Sequence, residues 1–296
     1  MTVLDEFNDF YDPQIKRGNV AGWDGGDRVK VVETDLRDRA GIEAVFAEGG
    51  FEAVIHLAAR AGVRPSIDDP DLYVDVNITG TQNVLEAARK GGVKKMVFAS
   101  SSSVYGVNKK VPFAEEDRIE RTISPYAATK VSGEHLCSNY AAHFGVDCVC
   151  LRFFTVYGPG QRPDLAISKF VNMLENGEPI TRYGDGSTAR DYTYIEDIVD
   201  GVIAALEYDK TPFEIINLGG SRTTTLTEMI GLVEQATGKT AVINQLPDQP
   251  GDVPRTSADV TKAKELLGYE PKIAIDEGIK RYVDWYRERV APLQES

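Results

Sequence analysis

Cysteine and histidine are scarce in this sequence, and none of them stands in a familiar metal-binding or redox motif. Cys137, Cys148 and Cys150 form no CxxC pair, and the three histidines include no HExxH motif. Zinc sites and disulfide frameworks are therefore disfavoured, and we predict no metal site. Cys148 and Cys150 alternate with Val149 in an apolar run, which predicts buried strand thiols. His56 lies in another apolar run and is expected to be a core or rim histidine rather than a ligand.

Long apolar runs and positive charge are also in short supply. No apolar run approaches the roughly 20 residues that span a bilayer, and residues 1–12 carry acids where a secretory signal has basic and then apolar residues. The 33 Lys and Arg are outnumbered by 46 Asp and Glu, for a formal net charge of −13. Nucleic acid and anionic membranes normally bind basic surfaces. We therefore expect a cytoplasmic protein with no nucleic-acid or membrane partner.

Length and residue pattern favour an α/β fold. The 296 residues, 42% of them hydrophobic, suit one large domain or a domain with an appended lobe. Short β-branched runs alternate with segments of helical period, which is typical of βαβ units and a mostly parallel sheet. The predicted strands are 29–33, 53–57, 95–99, 147–152 and 213–218. The predicted helices are 39–47, 76–89, 126–144 and 195–207.

The C-terminal third differs in character from the rest of the chain. A turn-rich stretch at 244–256 contains three prolines, and two predicted helices follow it at 259–267 and 276–289. We predict a nucleotide-binding part at 1–155. Residues 156–296 are then mainly a small substrate-binding lobe, with strands and helices that return to the first part.

A tyrosine and a lysine stand four residues apart at the start of a predicted helix. Tyr126 and Lys130 therefore share one helix face. A phenol with a pKa near 10 needs help to act as a base, and a nearby ammonium lowers that pKa. Such a pair suits an enzyme that removes an alcohol proton while hydride leaves for a nicotinamide ring. Tyr105 and Lys109 repeat the spacing in a predicted loop, where the two side chains need not face each other.

Four serines, residues 100–103, follow a predicted strand about 25 residues before Tyr126. Ligands of open α/β sheets bind at the carboxyl ends of strands, where these hydroxyls stand. One of them is placed to bridge the phenol and a substrate alcohol. The set of serine, Tyr126 and Lys130 predicts catalysis better than the tyrosine and lysine alone.

Several longer stretches resemble a known family, the extended short-chain dehydrogenase/reductases that act on nucleotide sugars, and most closely the UDP-glucuronate 4-epimerases. The likeness runs from about Val3 to Tyr286. It rests on the stretches DEFNDFYDP (5–13), HLAARAGVR (56–64), SPYAATK (124–130), LRFFTVYGP (151–159), RDYTYI (190–195) and QPGDV (249–253). The resemblance implies a Rossmann-type doubly wound parallel sheet, bound NAD, a UDP-sugar substrate and a homodimer formed through helices near 76–89 and 126–144.

The resemblance also implies a role for individual residues. The catalytic set would be Tyr126 as base, Lys130 as the partner that lowers its pKa, and Ser101 as the hydroxyl on the reacting oxygen. The cofactor-binding residues would be Asp5, Asn8, Asp35, Leu36, Leu57, Ala58, Ala59, Asn77, Ser100, Tyr126, Lys130 and Phe153. The substrate-binding residues would be Arg64, Ser102, Ser103, Thr155, Arg162, Arg190 and Arg255. Asp5 would hold the adenosine ribose and favour NAD over its 2′-phosphorylated relative.

The arginines in this set have distinct implied tasks. Arg162, Arg190 and Arg255 would clamp the UDP diphosphate, because a guanidinium binds phosphate oxygens with two hydrogen bonds. Arg64 would meet the uronate carboxylate. For each of them, a surface salt bridge is the alternative interpretation.

Transient oxidation at C4 is the implied reaction: Tyr126 takes the hydroxyl proton, hydride passes to NAD, the 4-keto sugar turns, and hydride returns to its other face. The serine run holds no carboxylate, which disfavours 4,6-dehydratase chemistry. Two alternatives stay open. One is a non-catalytic or fragmentary sugar-nucleotide-binding protein of the same fold. The other is UDP-glucose 4-epimerase or another NAD-dependent nucleotide-sugar oxidoreductase.

One departure from the family pattern concerns the first βα unit. Family members begin with a strand, a glycine-rich turn and a helix ahead of the acid equivalent to Asp5, and this sequence lacks them. In the family, this unit supplies backbone N–H groups to the pyrophosphate. Its strand is central in the sheet, so without it a neighbouring strand is expected to lack a pairing partner. The explanations are a start codon placed too far downstream, a real truncation that cannot hold NAD, and a partner chain or rearranged terminus that completes the site.

Overall fold

The structure is a computed structural model that describes residues 1–23, 28–247 and 253–291. The chain divides into two compact units. Unit 1 comprises Met1–Gly106, Ile119–Arg152 and Ala205–Ile215, and unit 2 comprises Val107–Arg118, Phe153–Ala204 and Ile216–Ser296. Most of the QPGDV stretch, residues 249–252, lies outside the described residues.

Strands and helices alternate along most of the chain. The strands are β1 (Thr2–Asp5), β2 (Lys30–Glu33), β3 (Ala53–His56), β4 (Lys95–Ser101), β5 (Asp147–Phe153), β6 (Thr155–Tyr157), β7 (Ile180–Tyr183), β8 (Ala189–Arg190), β9 (Tyr192–Tyr194), β10 (Phe213–Leu218), β11 (Thr224–Thr225) and β12 (Ile243–Leu246). The helices are α1 (Pro13–Val20), α2 (Arg39–Ala47), α3 (Val63–Asp68), α4 (Pro70–Val74), α5 (Gly80–Lys90), α6 (Pro125–Phe144), α7 (Ala166–Glu175), α8 (Ile195–Glu207), α9 (Leu226–Thr237), α10 (Thr261–Leu267) and α11 (Ile275–Arg289).

The sheets confirm the α/β prediction. One sheet has the order β10-β5-β4-β3, and β3 pairs with β4 in parallel. A separate parallel pair is formed by β1 and β2. Among the described residues, no strand pairs with the second edge of β1 or of β3. Ile55 of β3 and Leu57, which follows the strand, are 43% and 57% exposed.

Unit 2 contains smaller sheets. Strand β6 pairs with β9 in parallel, β7 pairs with β12 in parallel, and β8 pairs with β11 in antiparallel fashion. The prediction that 244–256 is only turn-rich is wrong at its start, because β12 includes residues 244–246. All four β12 residues are exposed, so no apolar alternation marked this strand in the sequence.

A helix is present in the predicted region 76–89, but the predicted start is wrong. Helical structure begins at Pro70, where the Asp69 side chain accepts a hydrogen bond from the Leu72 N–H and caps α4. A π-helical turn, Asp75–Thr79, then leads directly into α5. The other predicted elements have bounds within two residues of those observed, whereas α1, α3, α7, α9 and the strands of two to four residues in unit 2 went unpredicted.

Each unit has its own apolar core. In unit 1, residues of α2, α5, β4, α6 and β5 pack together, and the cluster includes all three cysteines as buried free thiols. In unit 2, α7, α9 and α11 surround another core that includes Tyr157 and Tyr282. None of the helices in the described ranges has the length and apolarity needed to cross a membrane.

Candidate active site

The start of α6 places a tyrosine and a lysine on one face of the helix. The Ser124 hydroxyl accepts a hydrogen bond from the Ala127 N–H at 3.1 Å and caps the helix. Pro125 occupies the first turn, where its missing N–H costs nothing. The cap therefore fixes Tyr126 as the second helical residue, with Lys130 one turn later.

Lys130 is 4% exposed and is held against β4. Its Nζ donates to the carbonyl oxygen of Ala99 at 2.6 Å and lies 5.9 Å from the centroid of the Tyr126 ring. Burial lowers the pKa of Lys130 to about 8, because charging an amine in an apolar surrounding is unfavourable. The structure thus brings together the predicted phenol and ammonium.

The serine run ends β4 and opens a 3-10 turn, Ser102–Tyr105, that packs against α6. The Ser101 hydroxyl oxygen accepts hydrogen bonds from the Ser103 N–H at 3.2 Å and from the Ser103 hydroxyl at 2.9 Å. Ser100 is buried, and its hydroxyl donates to Glu134 of α6 at 2.5 Å. Neighbouring serines therefore have different surroundings, and only those from residue 101 onward are partly exposed.

Asn77 joins three segments beneath this site. It is 3% exposed and lies in the π-helical turn, a feature often found at functional sites. Its amide oxygen accepts from the Arg60 N–H at 2.7 Å, and its amide nitrogen donates to the Arg60 carbonyl at 2.9 Å and to the Thr129 hydroxyl at 3.0 Å. The loop after β3 is thereby tied to the first turn of α6.

The remaining predicted cofactor residues of unit 1 follow β1, β2 and β3. Asp5 ends β1 with an exposed side chain whose Oδ1 accepts from the Phe7 N–H at 2.7 Å. Asn8 accepts from the Lys16 ammonium at 2.7 Å. Asp35 pairs with Arg37 at 2.6 Å, and this hydrogen-bonded guanidinium lowers the pKa of the Asp35 carboxyl.

The loop after β3 combines an exposed leucine, two small side chains and a buried hydrogen-bond donor. Leu57 is 57% exposed, and the small side chains of Ala58 and Ala59 come next. The Arg60 Nε is buried and has no hydrogen-bond partner among the described residues. Leu36 contacts α5 through its carbonyl oxygen, which accepts from the Asn83 side chain at 2.9 Å. The unsatisfied buried donor suits a bound polar ligand at this loop, since a buried N–H without a partner is costly.

The substrate candidates of unit 2 surround three short strands. Thr155 opens β6, Arg190 ends β8, and the backbone of Arg255 bridges Ala189. Arg190 and Arg255 therefore lie on adjacent backbone segments. The Arg255 guanidinium donates to the Thr223 hydroxyl at 2.5 Å.

Three candidates lie elsewhere. Arg162 forms a two-hydrogen-bond ion pair with Asp164, at 3.0 and 2.8 Å, which is the salt bridge considered as its alternative. Phe153 ends β5 and belongs to unit 2, while Arg64 is an exposed residue of α3 in unit 1.

Asp191 is a residue that the sequence interpretation missed. Its side chain is fully buried and accepts hydrogen bonds from the N–H groups of Gly220, Ser221 and Ala258 and from the Thr193 hydroxyl, at 2.6 to 3.2 Å. It thereby ties together the segments next to Arg190. The only sequence signal was its position in the RDYTYI stretch.

The chain matches the family model described as GDP-mannose 4,6 dehydratase over residues 14–282. It is 42% identical to a UDP-glucuronate 4-epimerase of Thermodesulfobacterium geofontis, over 97% of this chain and 88% of that relative. The crystal structure of UDP-glucuronic acid 4-epimerase from Bacillus cereus, in complex with UDP-glucuronic acid and NAD, matches with a TM-score of 0.91 and 36% identity. That match covers 97% of this chain and 90% of the other. The UDP-glucose 4-epimerase of Thermus thermophilus in complex with NAD matches with a TM-score of 0.87 and 35% identity, over 98% and 91% of the two chains.

Proposed function

The chain belongs to the family described as GDP-mannose 4,6 dehydratase, and we propose that it is an NAD-dependent nucleotide-sugar 4-epimerase that converts UDP-glucuronate into UDP-galacturonate. The observation that carries this proposal is the capped helix α6, which holds the Lys130 ammonium 5.9 Å from the Tyr126 ring and packs against the turn that follows Ser101. Relatives that are 42% and 39% identical to the chain are named UDP-glucuronate 4-epimerase and probable UDP-glucuronate 4-epimerase.

Tyr126 is the proposed base. Its phenolate accepts the proton of the sugar C4 hydroxyl, and the Lys130 ammonium stabilises the negative charge. Ser101 donates a hydrogen bond to the reacting oxygen, and its own oxygen is already oriented by Ser103. The same groups return the proton after the sugar has turned, so the net reaction is an isomerisation.

NAD is the cofactor that the proposal requires, and it would supply the acceptor and donor of the C4 hydride. In this proposal Asp5 holds the adenosine ribose, while Asp35 and Leu36 flank the adenine. The exposed Leu57 and the two alanines after it leave the backbone open to the pyrophosphate. The Arg60 Nε is the unsatisfied donor of this segment.

The substrate side of the proposal involves four arginines, a threonine and two serines. Arg190 and Arg255 bind the UDP diphosphate, with Arg162 joining them once it leaves Asp164. Thr155, Ser102 and Ser103 contact the sugar, and Arg64 meets the uronate carboxylate. Glucuronate is preferred over glucose in this proposal because Arg64 is exposed on α3, where a carboxylate can reach it.

We also propose that the enzyme is a cytoplasmic homodimer. Three buried free thiols suit a reducing compartment, and the net charge of −13 suits a protein that stays in solution. Helices α5 and α6 are the proposed contact between subunits.

The test is conversion of UDP-glucuronate by the purified chain, followed by chromatography of the UDP-sugars. Tyr126→Phe is expected to remove most turnover while the protein stays folded. Tyr140→Phe is the matched control on the same helix, because within the described ranges its hydroxyl bonds to Gln82 and Glu86 of α5 alone, and it should retain turnover. Accumulation of NADH in proportion to product would indicate a net dehydrogenase instead.

A further inference from the structure

Glu134 is a carboxylate buried behind the proposed catalytic groups. It is 3% exposed, and so is Ser100, while Arg152 is 2% exposed. Its Oε1 accepts hydrogen bonds from the Ser100 hydroxyl at 2.5 Å and from the Arg152 Nε at 2.9 Å, and its Oε2 accepts from the Arg152 Nη2 at 2.9 Å. One carboxylate thus joins α6, which carries it, to both β4 and β5.

The placement of these partners along the chain matters for the site. Glu134 stands one helical turn after Lys130 and two turns after Tyr126, on the same face of α6. Ser100 directly precedes Ser101 at the end of β4. The Glu134–Ser100 hydrogen bond therefore connects the helix that holds the phenol and ammonium with the strand that holds the catalytic hydroxyl.

Helix α6 packs closely against β4 near the Glu134–Ser100 hydrogen bond. Gly133 lies against Phe98 of β4, and a Cβ on it would come within 2.9 Å of a Phe98 ring carbon. Lys130 donates to Ala99, the next residue of the strand. Three consecutive β4 residues, from Phe98 to Ser100, are thus each in contact with α6.

A buried ion pair adds little net stability, because the cost of removing two charges from water offsets their attraction. Its hydrogen bonds do, however, require a defined geometry. We propose that Glu134 is a positioning residue for the epimerisation proposed above: its bonds to Ser100 and Arg152 hold α6 in the register against β4 that lets Tyr126 and Lys130 face Ser101. The inference rests on the proposed function.

The charge of Glu134 also acts on Lys130. Burial lowers the pKa of Lys130 to about 8, and the negative charge of Glu134 opposes that shift. The titratable and charged groups that act on or lie near this amine are Tyr126, Glu134 and Cys137 on α6, Cys150 and Arg152 on β5, and His56 on β3. Loss of the Glu134 charge leaves Arg152 uncompensated and lowers the pKa of Lys130 further.

Glu134→Gln tests the proposal. It keeps the size of the side chain, removes its negative charge and places an amide N–H against the N–H donors of Arg152. We expect kcat for UDP-glucuronate to fall about 100-fold, as for a displacement of about 1 Å at a catalytic group, with KM nearly unchanged. The alkaline limb of the kcat profile should move to lower pH. Ser100→Ala should lower kcat without moving that limb, since it keeps both charges.

Glu86→Gln is the matched control. Glu86 also accepts a hydrogen bond from a residue of α6, Tyr140, and pairs with Arg89, but it does so away from the proposed catalytic groups. It should leave kcat and the pH profile unchanged. If Glu134→Gln changes neither kcat nor the pH profile, or if Glu86→Gln changes both to the same extent, the positioning role is wrong.

Further measurements test the positioning role when Glu134→Gln or the wild-type assay fails. If Glu134→Gln does not fold, unchanged kcat in Ser100→Ala overturns the proposal. If the wild-type protein does not epimerise UDP-glucuronate, the proposed function fails on its own. Crystal structures of wild type and Ser100→Ala then decide the positioning role, which predicts a changed distance between the Tyr126 hydroxyl and the Ser101 hydroxyl and is refuted by an unchanged one.

Discussion

Replacement of Lys130 by methionine tests how much the ammonium contributes to the proposed base. The Nζ lies 5.9 Å from the centroid of the Tyr126 ring. With an effective dielectric constant of about 20, a unit charge at that distance stabilises the phenolate by about 2.8 kcal/mol, or about two pKa units. Without it, the fraction of phenolate at neutral pH falls about 100-fold.

The assay is kcat for UDP-glucuronate as a function of pH. Lys130→Met should lower kcat about 100-fold at pH 7. Above about pH 8, where the wild-type phenol is ionised and Lys130 loses its own charge, the loss should shrink until the phenol of the variant ionises near pH 10. Lys169→Met, which removes an exposed lysine of α7, should behave as wild type. A loss of equal size at every pH would refute the electrostatic reasoning and point to a role of Lys130 in binding alone.

Three further predictions concern separate parts of the chain. Burial lowers the pKa of His56 to about 3 in the folded state, whereas the unfolded chain takes up the proton near pH 6.5. The free energy of unfolding, measured with urea, should therefore fall by about 2 kcal/mol between pH 7.5 and pH 5. His56→Asn should reduce this fall, and His135→Asn, at an exposed histidine, should not. Gly133→Ala should lower the melting temperature, because overpacking against Phe98 costs about 1–3 kcal/mol and exceeds the gain in helix propensity. Gly231→Ala should raise the melting temperature, because there is open space around Gly231. Equal shifts in the two variants would contradict the close contact at Gly133. Asp5→Ala should reduce the NAD released on denaturation, measured by mass spectrometry, more than it weakens UDP-sugar binding, and an equal loss in both would count against the ribose role.

The parts of the fold with strong local signals were predictable from the sequence. Helix α6 has a serine cap, a proline in its first turn and a glycine at its end, Gly145, whose positive φ suits a helix stop. The buried strand β5 reads as a nearly continuous apolar run, interrupted by Arg152. These signals depend on residues close together in the chain, so they survive without knowledge of the tertiary structure.

Some of the elements that the sequence did not reveal are held by distant partners. Strands β8 and β11 have two residues each and exist because they pair with each other. Apart from Thr193, the hydrogen-bond donors to the side chains of Asp191 and Glu134 are 18 to 67 residues away, and the sequence around each acid does not show which donors will meet it. For the same reason, the sequence does not distinguish the four serines from one another, whereas the structure shows that the Ser100 hydroxyl is bonded to Glu134.

The central claim is that C4 is oxidised transiently and that the same hydride returns to it. UDP-glucuronate carrying deuterium at C4, incubated with the purified protein in ordinary water, tests this most directly by NMR of the product. The account predicts UDP-galacturonate that keeps its deuterium at C4, with no NADH in solution. Product with solvent hydrogen at C4, or no UDP-galacturonate at all, would contradict it.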